Sequence, residues 1–309
     1  MIKNSGGDAT FRREKANASW LALVIGNSRL HWAWFVGETL ETVWDMPHLP
    51  PEQVTCLVQH RLHFSQCFSL LEKKFEKSET VIAKLPPELQ AFLSRVPAQL
   101  PLCIASVIPD QTQIWQAYDQ SRVVTLDQIP LSNLYATLGI DRALALFGAA
   151  THYGLPTLVI DAGTALTFTG ADADRQLVGG AILPGLQLQL RSLAEHTAAL
   201  PQVSSYPSVV LPSRWTTTTA EAIWGGVVHT LLAGIQDFIQ AWQQQTAAGS
   251  VGSIVLTGGD AALFFRMLEQ QNPSLAAQIK VDPQIIFRGM QTVAAHQGWH
   301  RLSEPEDKT

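Results

Sequence analysis

Four short turns hold most of the residues that could do chemistry. In Leu158-Val-Ile-Asp161-Ala-Gly163-Thr164-Ala-Leu-Thr-Phe-Thr-Gly170 an apolar run ends in an acid, turns tightly at Gly163-Thr164 and continues as a second strand. Glycine allows close backbone approach, and exposed N–H groups with the Thr164 hydroxyl can bind phosphate oxygens. Asp161 can sit beside a cation or a cation-bound water. The same residues also suit an ordinary hairpin with an Asx-type turn. Gly26-Asn27-Ser28 follows the apolar run Trp20–Ile25 and repeats the pattern of glycine, polar residue and hydroxyl. Thr257-Gly258-Gly259-Asp260 sets two glycines between a strand and a helix, where backbone N–H groups can cradle a nucleotide. Gly139-Ile140-Asp141-Arg142 is different, an acid beside a base at the head of an Ala-rich segment. It can be a helix cap with a solvated charge. It can equally place Asp141 to accept a proton from a substrate hydroxyl and Arg142 to bind a carboxylate. Three phosphate-type turns and a candidate base fit phosphoryl transfer from a nucleotide to a hydroxyl.

The elements that must carry these turns alternate between strand and helix. Trp20–Ile25 reads as a central strand, Arg29–Val36 as its returning partner and Gly37-Glu38 as the next turn. Glu52–His60, Leu70–Glu79 and Pro87–Ser94 read as helical, with Lys73–Lys77 a solvated face. Leu102–Ile108 is a buried strand, Gln111–Gln120 a helix and Arg122–Leu126 a short strand. Helices are expected over 143–152, 186–196, 220–242 and 261–270, a strand over Ser253–Thr257, then a strand Val281–Phe287 and a helix Arg288–His296. Gly179-Gly180 and Pro184-Gly185 read as a turn or as room for a phosphate at a helix start. Gly225-Gly226 inside a long apolar helix implies close packing, against another subunit for example. Alternating elements give an α/β fold. The two strand–turn–strand units, Trp20–Val36 and Leu158–Thr169, suggest an internal duplication.

Bulk properties narrow the class. With 309 residues, roughly two domains are expected. Charged residues make up 15%, the net charge is −5, and Lys and Arg form no basic stripe. Nucleic acid and anionic membrane surfaces are therefore disfavoured as partners. Cys56, Cys67 and Cys103 have no metal or redox spacing and suggest reduced thiols, hence a cytoplasmic protein. The tryptophans read as core packing. No run approaches the ~20 apolar residues of a membrane span. Residues 1–18 are polar, carry no secretion segment and read as a disordered extension, so Asn17-Ala-Ser19 is treated as a chance glycosylation match. Residues 303–309 read as a frayed tail. There is no GxxxxGK[ST] pattern, no protein-kinase signature and no GxGxxG after the first strand.

Taken in order, the motifs resemble those of type III pantothenate kinases, members of the superfamily of acetate and sugar kinases, heat-shock chaperones and actin. The resemblance runs from about Trp20 to Gly298 through Gly26-Asn27-Ser28, Ala105–Pro109, Gly139-Ile140-Asp141-Arg142 and Asp161-Ala-Gly163-Thr164. It continues through Gly179–Gly185, Thr219–Ile223 and Thr257-Gly258-Gly259. It implies two ribonuclease-H-like halves, a duplicated actin-like ATPase fold with a nucleotide cleft, divided here as 19–140 and 141–302. It implies ATP-dependent phosphorylation of pantothenate, the first step of coenzyme A biosynthesis, with Mg2+ on the ATP. Asp141 would be the base, and Gly139, Ile140, Arg142, Tyr135 and Thr219 would bind pantothenate, Thr219 from the partner of a homodimer. Gly26, Asn27, Ser28, Arg29, Gly163, Thr164, Gly258 and Gly259 would bind ATP. Asp161 would hold a monovalent cation, K+ or NH4+. Two departures stand out. The family's first motif reads Asp-x-Gly-Asn-Thr, whereas Val24 occupies the acid's place here, and Tyr135-Ala-Thr137 is spaced differently from the family's Tyr and Pro. Val24 implies that Asp161 handles cations alone, or that turnover is slowed or lost. A catalytically impaired regulatory paralogue, another small-molecule kinase of the superfamily and an assembly protein of the actin–chaperone kind are the alternatives.

Overall fold

The computed structural model describes residues 19–74, 81, 84–203, 210–246 and 252–299. The expectations for 1–18, 303–309, the second half of Lys73–Lys77 and the end of Leu70–Glu79 fall outside them. The chain divides into two units. One takes in the described chain through Gln128, then Gly139–Asp141 and the chain from Met290; the other takes in Ile129–Leu138 and Arg142–Gly289.

Each unit is built on one five-stranded sheet. The first holds β1 (Ser19–Ile25), β2 (Leu30–Val36), β3 (Thr39–Met46), β4 (Leu102–Ser106) and β5 (Ser121–Val123) in the order β3-β2-β1-β4-β5. The second holds β6 (Thr157–Ala162), β7 (Ala165–Ala171), β8 (Leu177–Pro184), β9 (Ser253–Thr257) and β10 (Ile279–Val281) in the order β8-β7-β6-β9-β10. The two orders are the same. In each, two antiparallel hairpin steps are followed by two parallel strands on the other side of the founding strand. The duplication extends to single residues. The penultimate residue of β1, Val24, lies opposite His31 on β2 and Ala105 on β4. The penultimate residue of β6, Asp161, lies opposite Thr167 on β7 and Thr257 on β9.

Strand period 2 explains the faces. Leu21, Leu23 and Ile25 on β1, Trp32 on β2, Trp44 and Met46 on β3, and Ile104 on β4 enter one core. The helices Pro51–Gln59, Phe64–Lys74 and Pro109–Gln116 supply Leu57, Phe64 and Trp115 to it. Trp32 and Trp44 are direct cross-strand partners stacked at 5.8 Å, and Trp115 meets Trp32 edge-on at 5.3 Å. Each such side chain contributes about 1.5–3 kcal/mol by leaving water. In the second unit Leu158, Ile160, Phe168, Ile254 and Leu256 pack with the helices Thr219–Thr246 and Ala261–Gln271.

Several elements differ from expectation. The apolar run Ile285-Ile-Phe287 is helical, the start of Ile285–His296, and the strand before it stops at Val281. The buried Asp282 explains the break: its Oδ1 accepts from the Gln284 N–H at 2.9 Å, and its Oδ2 accepts from Arg288 Nε at 2.8 Å and from the Tyr153 hydroxyl at 3.0 Å. Side-chain capping of this kind starts a helix where hydropathy alone suggests a strand. Strand β3 was not anticipated because its outer face is exposed and polar. Gly179 and Gly180 lie inside β8, paired to Gly170 and Thr169, and form neither a turn nor a helix start. The helix Thr219–Thr246 is long and apolar enough to cross a membrane, contrary to expectation, but just over half of its most apolar stretch is buried within the protein.

Candidate active site

In the second unit three of the singled-out segments converge. Gly163 N–H donates to Ala165 O at 3.1 Å, closing the β6–β7 turn. A Cβ on Gly163 would stand 3.4 Å from Asp161 Oδ1. Gly258 has φ +92°, and a Cβ there would collide with Asp161 Oδ1 and lie 2.6 Å from Ala162 C and O. Asp260 N–H donates to Ala162 O at 2.9 Å and ties the second turn to the first. The Asp161 carboxylate is thus wedged between the Gly163-Thr164 and Gly258-Gly259 turns. Burial raises the Asp260 carboxyl above its ordinary value. Gly185 also joins this group. Its N–H donates to Thr164 O at 3.0 Å, and a Cβ would strike the Gly163 and Thr164 carbonyls. A carboxylate set among closely packed backbone is a fixed anionic oxygen site that a cation can neutralise.

The Gly139–Arg142 motif begins the helix Ile140–Tyr153. Asp141 lies in its first turn, where a carboxylate complements the helix dipole. A Cβ on Gly139 would collide with the Asp141 carboxylate, so glycine leaves room for that side chain to fold back. Arg142 is buried and extends along β7. Its Nε donates to Thr169 Oγ1 at 3.0 Å, Nη1 to the Tyr135 hydroxyl at 3.1 Å and Nη2 to Phe168 O at 2.9 Å. Gly180 serves this contact, since a Cβ would strike Phe168 O and lie 2.5 Å from Arg142 Nη2. Farther along, a Cβ on Gly148 would strike Ile285 O and lie 2.8 Å from Gly289 N, so this helix crosses Ile285–His296 at a glycine pair.

In the first unit Gly26 N–H donates to Arg29 O at 3.1 Å, and Gly26 O accepts from His48 Nε2 at 2.9 Å. Asn27, Ser28 and Arg29 are exposed on this turn. Behind it His31 Nδ1 lies 2.7 Å from Asp45 Oδ1. The hydrogen bond from His31, helped by attraction to His31 and Arg29 and opposed by burial, holds the Asp45 carboxyl below its ordinary value. Sequence reasoning passed over this pair. Its signal, two polar residues at matching positions of adjacent strands, is invisible until β3 is paired.

The close packing expected at Gly225 is borne out, and one side-chain cluster was not legible in the sequence. Gly225 makes room for its own chain, since a Cβ would lie 2.6 Å from Ser213 O, and Gly226 faces open space. Thr219 is exposed at the head of its helix. Cys56, His60 and Cys67, which lack metal spacing in sequence, bring their ligand atoms within 4.8 Å of one another. His60 Nδ1 and Cys67 Sγ both reach the Cys56 carbonyl, at 2.9 and 3.4 Å, which accounts for the cluster as a helix-end cap.

The model of the type III pantothenate kinase family matches residues 20–241, more than half of the chain. The chain belongs to this family. A type III pantothenate kinase of Nostoc is 49% identical over 89% of this chain and 94% of its own length. That of Synechocystis is 39% identical over 90% and 91%. A solved structure described as a Baf family transcriptional activator from Campylobacter jejuni superposes with TM-score 0.54, at 18% identity, over 90% of this chain and 98% of its own, a likeness of fold.

Proposed function

We propose that this chain transfers the terminal phosphoryl group of ATP to the hydroxyl of pantothenate. The observation that carries the reading is the wedge of Asp161 between the Gly163-Thr164 and Gly258-Gly259 turns, in a chain of this family. The Gly26–Arg29, Gly163-Thr164 and Gly258-Gly259 turns bind ATP, whose phosphates carry Mg2+. Asp161 holds a monovalent cation, K+ or NH4+, which supplies positive charge at the phosphates. Asp141 orients the acceptor hydroxyl and takes its proton. Arg142, with its plane fixed by Thr169, Tyr135 and Phe168, binds the pantothenate carboxylate beside Gly139 and Ile140. Phosphoryl transfer has a loose transition state, so positioning and charge neutralisation supply most of the rate.

The enzyme acts as a homodimer in which the exposed Thr219 closes the partner's pantothenate pocket. It works in the cytoplasm, where the unpaired Cys56, Cys67 and Cys103 stay reduced. The test is ATP consumption with and without pantothenate, in Mg2+ and with K+ or Na+. Pantothenate-dependent turnover stimulated by K+ is expected. Absence of pantothenate-dependent turnover refutes the proposal.

A further inference from the structure

Val24 leaves β1 without a carboxylate at the position where β6 carries Asp161. Charge on that sheet face lies on the neighbouring strands instead. Val24 is opposite His31, and His31 is opposite Asp45, so the three side chains stand on one face across β1, β2 and β3. The Asp45 carboxylate engages Nδ1 at 2.7 Å, and an ionised carboxylate only accepts, so Nδ1 carries a proton. Nε2 lies on the other side of the ring. It is 3.7 Å from where a Cβ of Gly26 would stand, at the base of the first turn. The imidazole is 41% exposed, so a ligand in the turn can reach it. Arg29 in the turn also attracts the Asp45 carboxylate, and His48, after β3, is bound to Gly26 O.

We propose that His31 contacts the nucleotide phosphates at the first turn, its imidazolium held between Asp45 and a phosphate oxygen to which Nε2 donates. The inference rests on the proposed kinase function and deepens it. An acid at position 24 would set a second carboxylate against the phosphate. Valine removes that repulsion, and the first turn then meets phosphate with a cation rather than with a metal-holding carboxylate. His31 acts between two anions, as a charge-assisted donor.

The test is calorimetric binding of Mg·ADP to the full chain, without pantothenate, at about pH 6 and about pH 8, on either side of the imidazole range. His31→Gln is expected to weaken binding about tenfold at the lower pH, the loss of one charge-assisted bond. Its affinity should also change less between the two pH values than that of the wild type. Asp45→Asn keeps the ring but removes the carboxylate that holds it at Nδ1, so binding at the lower pH should weaken although the imidazole is still present. Thermal unfolding of each variant checks that it is folded. His31→Gln binding within twofold of the wild type, with the same pH dependence, overturns the inference and leaves the kinase reading standing. Failure of the wild type to bind Mg·ADP overturns both.

Discussion

Replacing Gly258 by alanine tests the packing of the two phosphate-type turns in the second unit. Two costs can be worked from the geometry. At φ +92° an L side chain sits in the left-handed region, which costs about 1–2 kcal/mol. The new Cβ would also stand 2.6 Å from Ala162 C and O, closer than real Cβ atoms come, and the obstacle is backbone that cannot rotate away. The turn must shift outward, straining the 2.9 Å bond from Asp260 N–H to Ala162 O. Overpacking of this kind costs about 1–3 kcal/mol. Together the loss is about 2–5 kcal/mol, a sizeable part of the roughly 5–15 kcal/mol that holds a domain folded. Gly259→Ala is the matched control, because nothing lies within 4 Å of its Cβ. The assay is urea unfolding of both variants and the wild type without nucleotide. Gly259→Ala should stay within about 1 kcal/mol of the wild type. Gly258→Ala should unfold at clearly lower urea, with Tm lowered by about 5–15 °C. Equal midpoints for the two variants would refute the steric argument and with it the wedged position of Asp161.

Asp141→Asn should fold normally and lower pantothenate-dependent turnover at least about a hundredfold if the carboxylate takes the proton; a marginal loss in a coupled kinase assay would remove Asp141 as the base. Gly226→Ala should stabilise the helix Thr219–Thr246 by about 0.5–1 kcal/mol, while Gly225→Ala should lose that gain against Ser213 O, as thermal unfolding of the pair would reveal. Asp45 has a folded-state pKa below its unfolded value, so its contribution to stability is full above the unfolded value near 3.8 and fades as pH falls through the folded one. Acid unfolding curves of Asp45→Asn should therefore be flatter in that window. Burial pushes the Cys67 and Cys103 thiols up, so iodoacetamide near neutral pH should label the half-buried Cys56 first, read by peptide mass spectrometry.

Much of the architecture was legible in the sequence, because apolar runs bounded by glycine turns mark buried strands. Trp20–Ile25 and Leu158–Ile160 are both founding strands of a sheet, and their similar turns pointed to the duplication that the shared strand order bears out. β3 was not legible, since a half-exposed edge strand has weak apolar alternation. The helical start at Ile285 was hidden because Asp282 acts through three hydrogen bonds that composition does not register.

The sequence by itself determined the family, the order of the turns and the absence of an acid at Val24, since each is a matter of residue type and spacing along the chain. Tertiary structure decided what the glycines are for. Gly180 makes way for Arg142, Gly258 for Asp161, and Gly148 with Gly289 for a helix crossing, and each depends on a neighbour distant in sequence. It also decided where charge near the first turn resides. His31 and Asp45 are 14 positions apart and meet only when β2 and β3 pair, because strand register, rather than local spacing, sets which side chains share a face.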